Sequence, residues 1–75
     1  MPLINISTEY RGDHRDFQDL EDLEIYLIEN NIEETDQQGE LIIDEVKRYI
    51  ASGKPYIVLP INSYDDLTIH FDYEG

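Results

Sequence analysis

Leu67-Thr68-Ile69-His70-Phe71-Asp72-Tyr73 is the stretch that decides the fold. Apolar and polar residues alternate through it, so Leu67, Ile69, Phe71 and Tyr73 share one face and Thr68, His70 and Asp72 the other. That two-residue period belongs to a strand with one buried face. Just before it, Asn62-Ser63-Tyr64-Asp65-Asp66 supplies turn residues. Before the turn, Tyr56-Ile57-Val58-Leu59 is a β-branched run short enough for a buried strand, halted or bent at Pro60. The tail therefore predicts a hairpin.

Working back along the chain, the pattern changes to a helical one. Glu40 to Ser52 predicts a helix whose apolar stripe is Ile42, Ile43, Val46, Tyr49 and Ile50. Its acids come early (Glu40, Asp44, Glu45) and its bases late (Lys47, Arg48), the order that the helix dipole favours. Gly53 caps the end, and Lys54-Pro55 prevents continuation. Ile32 to Gly39 is a polar connector. Asp16 to about Asn30 predicts another helix, N-capped by Asp16, with Phe17, Leu20, Leu23, Leu27 and Ile28 as its buried side. Leu3 to Tyr10 alternates as a strand and breaks at Arg11-Gly12-Asp13. The expectation is one α+β domain over residues 1–75, a small three-stranded sheet in β-α-α-β-β order with two helices packed on one face. A fully helical middle with a disordered N-terminus is the rival.

Composition bounds the function. Of the 75 residues, 18 are Asp or Glu and 5 are Lys or Arg, giving a formal net charge of −13. Charge of one sign opposes compaction by self-repulsion, so a small domain that keeps it has a use for it. The hydrophobic fraction of 40%, with six Tyr and two Phe, predicts a folded core rather than disorder. With no cysteine, disulfide staples and thiolate zinc sites are excluded. MPLINISTEY has no basic segment leading into an apolar one, so no secretory signal is expected, and no apolar run has the roughly 20 residues that a membrane span needs. Anionic lipid and nucleic-acid backbones would repel the chain, which argues against direct DNA or RNA binding. A cytoplasmic location is the expectation.

The charge imbalance covers the entire chain, and one acidic stripe runs along the first helix and into the connector. Asp19, Asp22 and Glu29 fall on one stripe opposite the predicted apolar side, with Tyr26 between them, and Glu33, Glu34 and Asp36 follow. At roughly 1.5 Å rise per residue the stripe's axial offsets are about 4–11 Å, comparable to the separation of successive phosphates. Such a row fits a groove lined with Lys and Arg. The plain alternative is a solvated helix face. In size, charge and compactness the chain resembles the small acidic nucleic-acid-mimicking inhibitors, including phage-encoded anti-restriction and anti-CRISPR proteins. That likeness of type, which rests on no motif, implies a partner that is a basic nucleic-acid-binding protein, with its nuclease or glycosylase channel filled by the inhibitor.

A second class is the antitoxin or nuclease immunity protein, acidic because its target is basic. Tyr64, Asp65 and Asp66 would form a second patch, with Tyr64 as an exposed anchor and the carboxylates pairing charge. Phe71 and Tyr73, in HFDYEG, read better as hairpin core. A third class is an assembly module, a homodimer rather than a monomer, joined through the strand of Tyr56 to Leu59. Metal binding has weak support: Asp13-His14-Arg15-Asp16 and His70-Phe71-Asp72 set histidines beside carboxylates, without zinc spacing or a calcium loop. No cofactor is expected. No nucleophile motif or phosphate-binding glycine loop is present, so the chain does not read as an enzyme.

Overall fold

The computed structural model describes residues 3–74. Met1, Pro2 and Gly75, and with them the start of MPLINISTEY and the last residue of HFDYEG, lie outside the described residues. The elements are β1 (Leu3–Tyr10), β2 (Asp13–Phe17), α1 (Leu20–Glu29), α2 (Ile42–Ala51), β3 (Tyr56–Pro60) and β4 (Asp66–Tyr73). The four strands form one antiparallel sheet in the order β2-β1-β4-β3. The α+β class stands, but the sheet has four strands rather than three, and the element order is β-β-α-α-β-β.

The added strand is β2. Arg11 and Gly12 both adopt positive φ, 52° and 77°, and turn the chain directly into a hairpin in which Tyr10 pairs with Asp13. Asp13 to Asp16 are exposed and only Phe17 turns partly inward. A charged edge strand of this kind has no hydrophobic period to read, and its charges guard the sheet edge. The helix expected from Asp16 therefore begins at Leu20, and its N-cap is Asp19, whose Oδ1 accepts the Asp22 N–H at 2.9 Å.

Ile6, Thr8 and Tyr10 of β1, Leu67, Ile69 and Phe71 of β4, and Ile57 and Leu59 of β3 are buried on one face of the sheet. They share a single core with Leu23, Tyr26 and Leu27 of α1, Ile32 of the connector, and Ile42 and Val46 of α2. The alternation read in β4 holds along its length, with Tyr73 at the margin of the core. In β1 the register shifts between Leu3 and Asn5, which leaves Ile4 exposed. The opposite face carries Asn5, Ser7, Glu9, His14, Asp16, Tyr56, Val58, Thr68, His70 and Asp72, all exposed or half-buried. β3 is thus buried on one side only.

Both helices end in the same way. After α1, Asn31 takes φ 56°; its N–H donates to Ile28 O, and the Ile32 N–H donates to Leu27 O. After α2, Gly53 takes φ 69° and donates to Ile50 O, while the Lys54 N–H donates to Tyr49 O. These are paired left-handed caps, and burial of Ile32 against the core completes the first. Asn31 and Gly53 thus aim the connector and the β3 entry.

Candidate protein-binding face

The helical side of the molecule holds most of the expected binding residues, and the structure divides them. Asp22 and Glu29 are exposed on α1, and Glu33 and Glu34 are exposed in the connector. Asp19 is exposed as well, but its carboxylate is engaged as the helix cap. Tyr26 is not part of the acidic face. It is 4% exposed and packs against Phe17 with ring centroids 5.3 Å apart. Burial, and then the nearby charge of Asp13, push its hydroxyl above the ordinary tyrosine pKa. Phe17 swings in from β2 and turns the buried side of α1 toward Tyr26, leaving Ile28 outside, 74% exposed. The predicted apolar side was rotated, and Tyr26 and Ile28 exchange roles.

Asp36 also leaves the binding face. It is 6% exposed, and its Oδ1 accepts the N–H groups of Gln38 (2.9 Å) and Glu40 (3.0 Å). Its own N–H donates to Glu40 O, and its carbonyl accepts from Gly39, which bends at φ 85°. The Gln37 N–H donates to Pro60 O and ties this loop to the end of β3. Asp36 is the keystone of the connector.

Its other oxygen, Oδ2, is buried without a formal donor, as is Oε2 of Glu45 on α2. The two carboxyls meet: burial first, then the bond to Asp36 and its charge, raise the Glu45 pKa to about 7. Burial works against Asp36 ionising too, but the Glu40 N–H, the Glu45 carboxyl and the Gln38 and Gly39 N–H groups outweigh it, and its pKa lies below the ordinary value. Of the two carboxyls, Glu45 is the one whose neutral form the site favours, and Asp36 the one whose charged form it favours. No sequence signal pointed to this pair, whose members lie on either side of the loop closure.

At the far end of the sheet, Tyr64 is 95% exposed at the tip of the β3–β4 turn. Asn62 Oδ1 accepts from the Tyr64 and Asp65 N–H groups and shapes that turn. Asp65 is engaged: its Oδ2 receives Arg11 Nε and Nη2, each at 2.9 Å, and Asn62 Nδ2 at 3.2 Å. The Arg11 bond, seconded by Asn62, holds its pKa below the ordinary value. Asp66 is exposed and opens β4 opposite Pro60. A polar hollow of about 510 Å³, lined by Arg11, Asn30, Glu33 and Asn62 among others, separates the connector from this turn. Of the expected binding residues, Glu33 and Asp36 line this hollow, and Tyr64, Asp65 and Asp66 do not.

The cations are mostly committed. Arg11 pairs with Asp65, Arg15 with Asp13 and Arg48 with Glu40. Among the described residues, Lys47 and Lys54 are the two basic side chains without such a partner, and Asp22, Glu24, Glu29, Glu33 and Glu34 have no ion-pair partner. Negative charge on the α1 and connector surface is uncompensated.

On the open sheet face, His14 Nε2 lies 3.1 Å from Asp16 Oδ1, which also accepts the Ser7 hydroxyl at 2.7 Å. The Ser7 bond, with support from His14, lowers the Asp16 pKa. His70 stands against Tyr56, ring centroids 5.7 Å apart, and Ser7 lies between it and Asp16 in the cross-strand register. Among the described residues no three His, Cys, Asp or Glu side chains converge on one ion position. No described helix is long and apolar enough to cross a membrane. β3 is an edge strand, as a dimer through Tyr56 to Leu59 requires.

Compared with protein-family models, curated proteins and solved structures, the chain matches none of them, so the functional reading stands on the geometry of this face alone.

Proposed function

We propose that the protein acts by binding, as an acidic inhibitor that occupies the basic nucleic-acid-binding surface of a nuclease or another DNA- or RNA-processing protein. The observation that carries this reading is the set of exposed carboxylates without an ion-pair partner on α1 and the connector: Asp22 and Glu29 on one flank of the helix, Glu24 on the other, and Glu33 and Glu34 beyond its end. Elsewhere the molecule answers several of its acids with a cap, an arginine or backbone N–H donors. A basic channel supplies the missing counter-charge, steers association and makes it sensitive to salt.

The test is capture of partners from bacterial lysate at low and high salt, with identification by mass spectrometry and competition by duplex DNA. The reading expects a basic nucleic-acid enzyme that leaves at high salt and is displaced by DNA. It also expects Asp22→Lys with Glu29→Lys to abolish inhibition of that enzyme. Inhibition that survives the double reversal removes this face from the interface.

One observation favours a second reading, an antitoxin or immunity protein with a single cognate toxin. Tyr64 stands fully outside the core at a turn in which Asn62 accepts the backbone N–H groups of Tyr64 and Asp65 and Arg11 holds the Asp65 carboxylate, a pre-ordered aromatic anchor. That reading expects a partner retained at high salt, and a Tyr64→Ala variant weakened by at least about 2 kcal/mol.

A further inference from the structure

A trough of about 400 Å³ runs between the C-terminal half of α1, the connector and the first turns of α2. Its floor is aliphatic, built from Leu27, Ile28, Ile32, Leu41 and Ile43. Two of these are out of place for a finished surface, Ile28 at 74% exposure and Leu41 at 45%. Isolated apolar residues on a surface are ordinary, but aliphatic side chains gathered in a concave floor mark a docking site. The rim carries Glu24, Glu33, Glu34 and Asp44 against a single cation, Lys47.

From this trough we infer a docking site for a basic amphipathic helix of a partner protein, aliphatic on one face and rich in Lys and Arg on its flanks. Two features of the molecule select that occupant. Rim charge excludes an acidic segment, and it would repel a second copy of this chain, which carries the same −13. Strand addition needs an open sheet edge, and the edges here are β2 and β3, whereas the trough is walled by helices. A helix laid in such a trough presents anchors at i, i+3/i+4 and i+7 to the floor and points its flanking cations at Glu24, Glu33, Glu34 and Asp44. The inference rests on the reading that the protein binds a basic partner, and it names the part of the partner that is held.

Three synthetic 14-residue peptides, titrated into protein with labelled Ile and Leu methyls and followed by NMR, supply the test. The first has Leu at i, i+3/i+4 and i+7 with Lys elsewhere. The second replaces each Leu by Ser, and the third replaces each Lys by Glu. The expected result is saturable shifts confined to the methyls of Leu27, Ile28, Ile32, Leu41 and Ile43 with the first peptide. The other two should bind at least about tenfold more weakly, and Ile28→Ser or Leu41→Ser should each weaken the first by about tenfold. Both side chains are exposed, so the variants keep the fold, which an unchanged Tm verifies. The inference is overturned if the Ser peptide binds as well as the Leu peptide, or if the shifts spread over α1 and the open sheet face. That outcome leaves the charge-driven inhibitor reading standing. Localised peptide binding without any salt-sensitive nucleic-acid enzyme captured from lysate would instead retain the trough and sink the inhibitor reading.

Discussion

Asp36 and Glu33 lie three residues apart in one connector and do opposite things. Glu33 is exposed and unpaired, with its oxygens in water, while Asp36 is enclosed and accepts two backbone N–H groups. The same contrast divides the larger regions: the α1 surface leaves its acids uncompensated, whereas the turn end of the sheet answers Asp65 with Arg11 and Asn62. A net charge of −13 is therefore a mixture of structural and available carboxylates. The structural ones have a donor waiting in the chain. The available ones do not, and only these are offered to a partner.

The sharpest way to break this division is at Tyr26, which the sequence pattern sets in the acidic stripe and the structure buries. Tyr26→Ala is expected to cost about 3–5 kcal/mol in urea unfolding, the range for truncating a large buried aromatic. Tyr26→Phe should stay within about 1 kcal/mol of the wild type, because it keeps the ring packing and the buried hydroxyl has only the Thr8 side chain beside it. If Tyr26→Ala unfolds like the wild type, the aromatic is not in the core. Next comes Asp36→Ala, which orphans the Gln38 and Glu40 N–H groups and should cost about 1–3 kcal/mol. Glu33→Ala, its exposed neighbour, should stay within about 0.5 kcal/mol in the same assay. Equal losses at the two positions would erase the distinction.

A smaller effect concerns the proton between Asp36 and Glu45. The folded pKa of Glu45, about 7, lies above its ordinary 4.5, so between these values the folded state holds a proton that the unfolded state has released. Stability should fall as pH rises through that window and level off on either side. Asp36 acts in the opposite sense: its lowered pKa contributes stability above its ordinary 3.8, lost as pH falls through the folded value. Glu45→Gln keeps a donor toward Asp36 without titrating. It should flatten the pH dependence of Tm between the ordinary value of 4.5 and about 7, and leave the protein more stable than the wild type above that window. A wild-type curve that already lacks the slope contradicts the shared proton. Least of all, Arg11→Ala removes an ion pair whose cation is mostly exposed and should lower Tm only slightly, with the loss shrinking in high salt.

What the sequence could disclose follows from where each segment sits. β4 was legible because one of its faces is wholly buried, and the alternation of Leu67, Ile69 and Phe71 is the direct imprint of that burial. The helix ends were legible through Asn31 and Gly53, residues that tolerate the left-handed conformation. β2 was not, because Asp-His-Arg-Asp on a sheet edge buries nothing and so records nothing. Losing β2 placed Phe17 in the helix, which rotated the inferred apolar side of α1 and exchanged Tyr26 with Ile28. For the candidate site, Asp22, Glu29, Glu33 and Glu34 were readable because exposure is the default for charge. The engagement of Asp36 and Asp65 depends on loop geometry and on Arg11, 54 positions away from Asp65, which no local pattern carries.

The centre of the sheet is made by β1 and β4, the first and last strands, with Leu3 opposite Tyr73. Neither hairpin can bury its inner face until these two meet, so the decisive pairing joins segments separated by nearly the whole domain. Closing a loop of that size costs entropy before any contact repays it, which makes folding slower than that of a helical bundle of the same length. On the ribosome, β1 and β2 emerge long before their central neighbour exists. The helices can form as they appear, but the domain must wait for its final strand. Throughout that wait the uncompensated carboxylates keep nascent chains apart, so the surface proposed to seize a partner also keeps the unfinished molecule from its own copies.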